Sequence, residues 1–77
     1  MEFEFDPVKS KSNAQSHGIG FDEAQELWLD DGLVVLSSTY CEESRYLAIG
    51  QIGIVHWTAI FTERGDYTRI ISVRSSR

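Results

Sequence analysis

The chain has 77 residues, 42% of them hydrophobic, and a net charge of −5. This length allows one small domain, and this composition is typical of a folded protein rather than a disordered one. The single cysteine excludes an intrachain disulfide, and no apolar run is long enough to span a bilayer. Because so small a core has no covalent crosslink, we expect a protein partner or self-association. The single cysteine and the absence of a signal-peptide pattern predict a cytoplasmic location.

The charges are divided unevenly along the chain. Residues 1–43 contain ten acidic residues and two lysines, whereas residues 44–77 contain two acidic residues and five arginines. Because a guanidinium binds phosphate through two N–H groups, the second half is the one suited to nucleic acid. Solvated arginines on strand edges explain the same distribution without a ligand. The histidines and the cysteine show no zinc-ligand spacing, so no metal or cofactor is predicted.

The first twenty residues predict a strand followed by a helix. MEFEF alternates apolar and acidic residues, which indicates a short strand with one buried face. Asp6 is a typical N-cap, Pro7 suits the first helical position, and Gly18 suits the left-handed residue after a helix. We therefore predict a first helix from Pro7 to about His17.

A second helix and four strands are predicted after it. Apolar residues recur at helical spacing from Phe21 to Trp28, and Asp30-Asp31-Gly32 ends this helix. Strand patterns follow in LVVLSSTY, RYLAIGQI, VHWTAIFT and YTRIISV, with CEESR as a polar connection. Gly53 and Gly65 each stand first in a possible two-residue type II′ turn. The order predicts an α+β domain in which two N-terminal helices pack on a curved, mainly antiparallel sheet of four to five strands.

The first helix carries polar residues where an apolar face is usual. Lys9, Asn13 and His17 recur at i, i+4 and i+8 and form one stripe. His17 lies in the last turn, where the helix dipole favours its protonated form, as a general acid or a phosphate contact requires. A histidine that only satisfies a free carbonyl at the helix end explains the position equally simply.

The last hairpin holds a second group of polar residues. A turn at Gly65-Asp66 predicts four pairs on one face: Glu63 with Thr68, Phe61 with Ile70, Ala59 with Ser72 and Trp57 with Arg74. Arg69 and His56 point to the other face, and Arg64 lies beside the turn. A carboxylate, arginines and a nearby histidine could cleave RNA without a metal, and Trp57 could stack a base. A solvated hairpin end and a core tryptophan are the alternatives.

Three segments, FEFDPVKSKSNAQSHGIGFDEA, RYLAIGQIG and HWTAIFTERGDYTRIISVR, resemble the BrnT toxins of bacterial type II toxin–antitoxin systems over essentially the whole chain. The most specific motifs are FDPxKxxxNxxxHGI, TERG and RIISxR. The resemblance implies one RelE-like domain over residues 1–77 and a metal-independent endoribonuclease that inhibits translation. It also implies a BrnA-type antitoxin with a ribbon-helix-helix region. The resemblance implies that this antitoxin forms a heterotetramer with the toxin and that only the antitoxin contacts operator DNA.

The resemblance also assigns the site residues. The matching positions predicted for catalysis are His17, Glu63, Arg64 and Arg74, and those predicted for RNA binding are Lys9, Asn13 and Arg69. Trp57 is added as an RNA-binding residue because its indole could stack a base. The chain departs from the family in having Ser16 where a lysine is common. It also ends at RSSR, where family members usually continue into a C-terminal helix, and a natural end and a truncated one both fit the sequence. The alternatives are a non-catalytic module that partners a DNA-binding repressor and a homodimeric stress protein. The nuclease hypothesis requires His17 and the arginines of the last two strands to reach one phosphate.

Overall fold

The computed structural model describes residues 2–38 and 45–75, without the side chain of residue 38. Its elements are β1 (Glu2–Glu4), α1 (Pro7–His17), α2 (Phe21–Ala24), a 3₁₀ helix (Gln25–Leu29), β2 (Val34–Ser38), β3 (Arg45–Ile52), β4 (Val55–Arg64) and β5 (Tyr67–Ser75). The predicted α+β class is confirmed, although β1 precedes both helices, which are therefore not the N-terminal elements. Outside the described residues lie Met1 of the first predicted strand, Thr39 and Tyr40 of the second, residues 41–44 of the predicted connection CEESR, and the last two residues of RSSR. Arg45, the last residue of that predicted connection, is the first residue of β3.

The five strands form one mixed sheet in the order β1-β5-β4-β3-β2. β1 pairs in parallel with β5, and the other neighbours are antiparallel. Both predicted two-residue turns are confirmed, since Ile52 pairs with Val55 and Arg64 with Tyr67. Gly53 and Gly65 have φ angles of 62° and 61°, the positive values that the first residue of a type II′ turn needs.

The limits of α1 are those its sequence predicts. The Asp6 carboxylate accepts the N–H of Val8 at 2.9 Å, which satisfies one of the free donors of the first turn. Gly18 adopts a left-handed φ of 101°, and its N–H donates to the carbonyl of Ala14. A residue with a Cβ would be strained at this φ, so glycine is what lets the helix end here.

The second predicted helix is shorter than its apolar pattern indicated. It is α-helical from Phe21 to Ala24 and continues as a 3₁₀ helix. Asp30 then joins it to the sheet, because its two carboxylate oxygens accept the N–H groups of Gly32 at 2.9 Å and Gln51 at 2.8 Å. These donors lower the pKa of Asp30. No helix among the described residues is long and apolar enough to cross a membrane.

A β-bulge in the last hairpin overturns part of the predicted register. The pairs Glu63–Thr68 and Phe61–Ile70 are confirmed. The register then shifts by one residue at Ile71, which has no partner on β4 and lies between the paired residues Ile70 and Ser72. The observed pairs beyond it are Ala59–Val73, Thr58–Arg74 and Trp57–Ser75, so the predicted pairs Ala59–Ser72 and Trp57–Arg74 are wrong. Because side chains alternate between the faces, Ser72 and Arg74 lie on the face opposite Trp57.

The core lies between the helices and one face of the sheet. Its buried apolar members are Ile19, Phe21, Ala24, Leu27, Ala48, Trp57, Ala59, Phe61, Ile70 and Val73. Trp28 joins β1 to the core, since its ring contacts Phe3 and Phe61 edge-on at centroid distances of 5.0 and 5.2 Å. All the buried sheet residues have side chains on this face. We call the opposite side, which carries Arg64, Arg69 and Arg74, the open face.

Candidate functional site

The inward side of α1 is held by hydrogen bonds rather than by an apolar stripe. The Asn13 amide donates to the carbonyl of Ile19 at 2.9 Å and accepts the N–H of Val73 at 3.1 Å. The Ser10 hydroxyl accepts the N–H of Phe21 at 2.8 Å. Both Asn13 and Ser10 are buried, so these bonds supply partners to backbone groups that water does not reach. The polar composition of this helix therefore has a structural purpose on its inner side.

A groove runs along another side of α1 and has a volume of about 210 Å³. Its lining residues are Lys9, Ser12, Asn13, Ser16, His17, Phe21 and Ile71. Lys9, Ser12, Ser16 and His17 are exposed, so their ammonium, hydroxyl and imidazole groups can meet a ligand. Three residues of the predicted stripe, Lys9, Asn13 and His17, are thus brought together. The two serines were not predicted as site residues, although their i+3 and i+7 spacing from Lys9 places them on the same side of the helix.

The arginines of the last hairpin lie on the open face, along β4 and β5. Arg64 pairs with Tyr67 at the turn, Arg69 with Thr62, and Arg74 with Thr58 toward the other end. Arg69 also donates to the carboxylate of Glu4 at 2.7 Å, and both side chains are about one-third exposed. Arg64 and Arg74 are exposed. A row of guanidinium groups therefore follows the open face along β4 and β5. Among the described residues β1 pairs with β5 only as far as Arg69, and we call the exposed edge of β5 beyond Arg69 the β5 edge.

The predicted sharing of one phosphate by His17 and all the arginines does not fit this arrangement. Gly18, the residue after His17, lies against Trp57, since a Cβ at this position would be 3.8 Å from the indole. Trp57 is six residues from Glu63 along β4, a separation of roughly 20 Å. His17 is thus at one end of the sheet, and Glu63 with Arg64 at the other. Arg74 is at the His17 end but on the opposite face.

Two predicted RNA-binding residues have structural contacts instead of open surroundings. Trp57 is only 8% exposed and belongs to the core, as the alternative interpretation of this residue held. Both polar ends of the Asn13 amide are used within the protein. Glu63 points to the helix side of the sheet but is exposed at the end of β4. Among residues 2–38 and 45–75 there is no group of three His, Cys, Asp or Glu side chains that could hold a metal ion.

Comparison with known proteins connects this geometry to a function. A family model described as ribonuclease toxin, BrnT, of type II toxin-antitoxin system matches residues 5–77. The match therefore includes α1 with its groove and the whole of the last hairpin. A search of curated proteins finds no match to the chain.

Proposed function

Because the chain belongs to the BrnT family of ribonuclease toxins from type II toxin–antitoxin systems, we propose that it cleaves RNA at the groove beside α1, without a metal ion, and thereby inhibits translation. The observation that carries this proposal is the clustering of a lysine, two hydroxyls and an imidazole beside the bulge of β5. Lys9 supplies a positive charge for a phosphate, and Ser12 and Ser16 supply hydrogen-bond donors. His17 supplies an imidazole, whose ring nitrogens can donate or accept a proton.

The proposed reaction is an internal transfer at phosphorus. The ribose 2′-oxygen forms a bond to the adjacent phosphorus, and the bond from phosphorus to the 5′-oxygen breaks. A base takes the 2′-OH proton and an acid gives a proton to the leaving 5′-oxygen, so the products are a 2′,3′-cyclic phosphate and a 5′-hydroxyl. His17 performs proton transfer, and Lys9 stabilises the charge that develops on the phosphate. This chemistry needs no redox partner and no cofactor.

The form of the nuclease hypothesis that required His17 and the arginines to share one phosphate does not fit the structure. The present proposal replaces it with one in which the arginines contact the RNA on either side of the reacting phosphate. Ile71 lines the groove, and Ser72 and Arg74 follow it on the open face of the same strand. An RNA strand that passes around this edge of β5 meets Lys9 first and then Arg74. Arg64, which lies next to Glu63 roughly 20 Å away, contacts a phosphate a few nucleotides along the strand rather than the reacting one. Phosphate contacts of this kind position the RNA and weaken as salt is raised.

The remaining features follow from the kind of system to which the family belongs. Type II systems include a protein antitoxin, and we propose that it is of the BrnA type, with a ribbon-helix-helix region and a heterotetrameric assembly that binds the operator. A RelE-like fold and a cytoplasmic location belong to the same proposal. The α+β architecture, with one sheet face covered by helices, supports the first of these.

Cleavage of end-labelled RNA in EDTA tests the proposal. We expect His17→Ala to reduce the rate by about 10²-fold or more, as loss of a proton-transfer group does. Lys9→Ala should reduce the rate by about 10-fold, the loss of one exposed charge contact. Lys11→Ala is the matched control, because Lys11 is on α1 and exposed but lines a different surface, together with Pro7 and Glu23. Its rate should equal that of the wild type.

Three results would contradict this assignment. Equal losses in Lys9→Ala and Lys11→Ala would show that only general positive charge matters. A larger loss in Glu63→Gln than in His17→Ala would move the reaction to the hairpin end. No cleavage by the wild type, with antitoxin binding intact, would support the non-catalytic binding module instead.

A further inference from the structure

The open face carries a continuous apolar patch that no described part of the chain covers. Its residues are Val34 and Leu36 of β2, Leu47 and Ile49 of β3, and Ile60 of β4, and we call them the apolar patch. The register makes them neighbours: Leu36 pairs with Leu47, Leu47 with Ile60, and Val34 with Ile49. Val34 and Leu36 are about half exposed, and the other three are intermediate. None of the described side chains on the open face is buried as the core residues are.

The dimensions of the apolar patch suit one helix. It covers three strands, or about 10 Å between the outer Cα atoms, and two residues along β2 and β3, or about 7 Å. Two turns of an α-helix advance about 11 Å and present apolar residues at i, i+3 or i+4, and i+7. A sheet face that is not exposed to water is covered by helices or by a second sheet.

The surroundings of the apolar patch are positively charged although the whole chain is acidic. Arg45 alternates with Leu47 on β3, and Arg69 and Arg74 lie beyond Ile60 on β5. Among the described strand residues, the acidic side chains of this face are Glu2 and Glu4 on the edge strand β1, and Glu4 is paired with Arg69. Arg74 is exposed and forms no ion pair within the described residues. The complementary surface is therefore apolar in the middle and acidic at its flank.

We infer that the open face docks an amphipathic helix with an acidic flank, supplied by the antitoxin. This inference rests on the proposed function, because it gives the surface on which neutralisation occurs. RNA suits the arginines but not the apolar patch, since its bases stack on aromatic rings and the patch is entirely aliphatic. A helix bound there covers the guanidinium of Arg74 and its strand, and excludes RNA from the edge that leads to the groove.

The exposed edge strand offers a matched pair of variants. Leu36 and Val35 are adjacent and are both 48% exposed, but Leu36 belongs to the open face and Val35 points to the helix side. Leu36→Glu and Val35→Glu add the same charge at nearly the same place. The measurement is the calorimetric affinity of each purified variant for the purified cognate antitoxin, with the far-ultraviolet circular dichroism of each variant as the test of folding.

We expect Leu36→Glu to weaken antitoxin binding about 30-fold or more, as loss of a central apolar contact does, and Val35→Glu to stay within about 3-fold of wild type. Arg74→Glu should also weaken binding, and a charge-reversing change of an acidic residue in the antitoxin helix should restore it. Equal affinities of both β2 variants, or no binding by the wild type, would overturn the inference.

RNA binding separates this inference from the proposed function. Without antitoxin, Leu36→Glu should bind and cleave RNA as the wild type does, because the apolar patch is outside the groove. If Leu36→Glu loses RNA binding while antitoxin binding is unchanged, the patch is an RNA surface and the docking inference is wrong. If the wild type does not cleave RNA but the two β2 variants differ in antitoxin affinity as expected, only the proposed activity fails.

Discussion

The two faces of the sheet have similar alternating sequences but opposite surroundings. On the helix side, Ala48, Ala59 and Val73 have no exposed surface. On the open side, aliphatic residues and arginines remain accessible to solvent. The buried contacts that stabilise the fold are therefore on the helix side of the sheet. The charges that suit RNA and a partner are on the open face and at the β5 edge. Changes at neighbouring positions of one strand should therefore have very different consequences.

The largest contrast is expected between Val73→Glu and Ser72→Glu. Val73 is fully buried, and an unpaired carboxylate there costs several kcal/mol, comparable with the roughly 4–12 kcal/mol that stabilises a domain of this size. Ser72 is on the open face and should tolerate the charge within about 1 kcal/mol. Urea unfolding followed by tryptophan fluorescence should give no cooperative transition for Val73→Glu. A normal transition for that variant would show that the assigned faces are wrong.

Asn13→Ala tests the hydrogen bonds that connect α1 to the part of β5 beyond its pairing with β1. The change leaves the N–H of Val73 and the carbonyl of Ile19 without their partner, and each buried group costs about 1–3 kcal/mol. We expect a loss of about 3 kcal/mol in the free energy of unfolding, measured in urea. Gln15→Ala, an exposed position on the same helix, is the control and should change little. Equal losses would mean that the two hydrogen bonds of the Asn13 amide contribute no specific stability, since alanine has the higher helix propensity at both positions.

Local signals in the sequence predicted most of the fold. Asp6, Pro7 and Gly18 define α1 because capping acts through neighbouring backbone groups. Gly53 and Gly65 define the hairpins because a positive φ at the first turn position favours glycine. The parallel pairing of β1 with β5 was not predicted, since it joins residues more than sixty positions apart and no local pattern specifies it.

The site was only partly predictable for the same reason. The stripe Lys9–Asn13–His17 follows from helical spacing, and the structure brings these residues to one groove. The position of Arg74 depends on the bulge at Ile71, and nothing in RIISVR distinguishes a bulge from a regular strand. A single extra residue therefore moved the guanidinium to the other face. The catalytic and RNA-binding roles themselves stay predictions until the variants are measured.

Deleting Ile71 also tests which residues of β5 lie on each face of the sheet, with a smaller expected loss of stability. Because Ile71 has no partner on β4, its removal should leave Ser72 and Arg74 on the open face and Val73 in the core. We expect a folded protein that is less stable by about 1–2 kcal/mol, with RNA cleavage reduced because the groove loses part of its lining. The measurements are urea unfolding and the cleavage rate. A complete loss of folding would indicate that the extra residue is needed for the register itself.

The smallest effect is expected from Asp30→Asn, and it should depend on pH. The N–H groups of Gly32 and Gln51 lower the pKa of Asp30, so the folded state favours the ionised carboxylate. This contribution to stability is present above the pKa of the unfolded chain, about 3.9, and is lost as the pH falls through the lower folded value. Asp30→Asn should therefore be less stable than wild type at pH 7, and the difference should shrink below about pH 4.

Urea unfolding between pH 7 and 2.5 measures this difference in the free energy of unfolding, with Asp31→Asn as the neighbouring control. A difference that stays constant over this range would mean that the carboxylate's charge does not contribute, and that Asp30 joins the 3₁₀ helix to β3 only as a neutral acceptor.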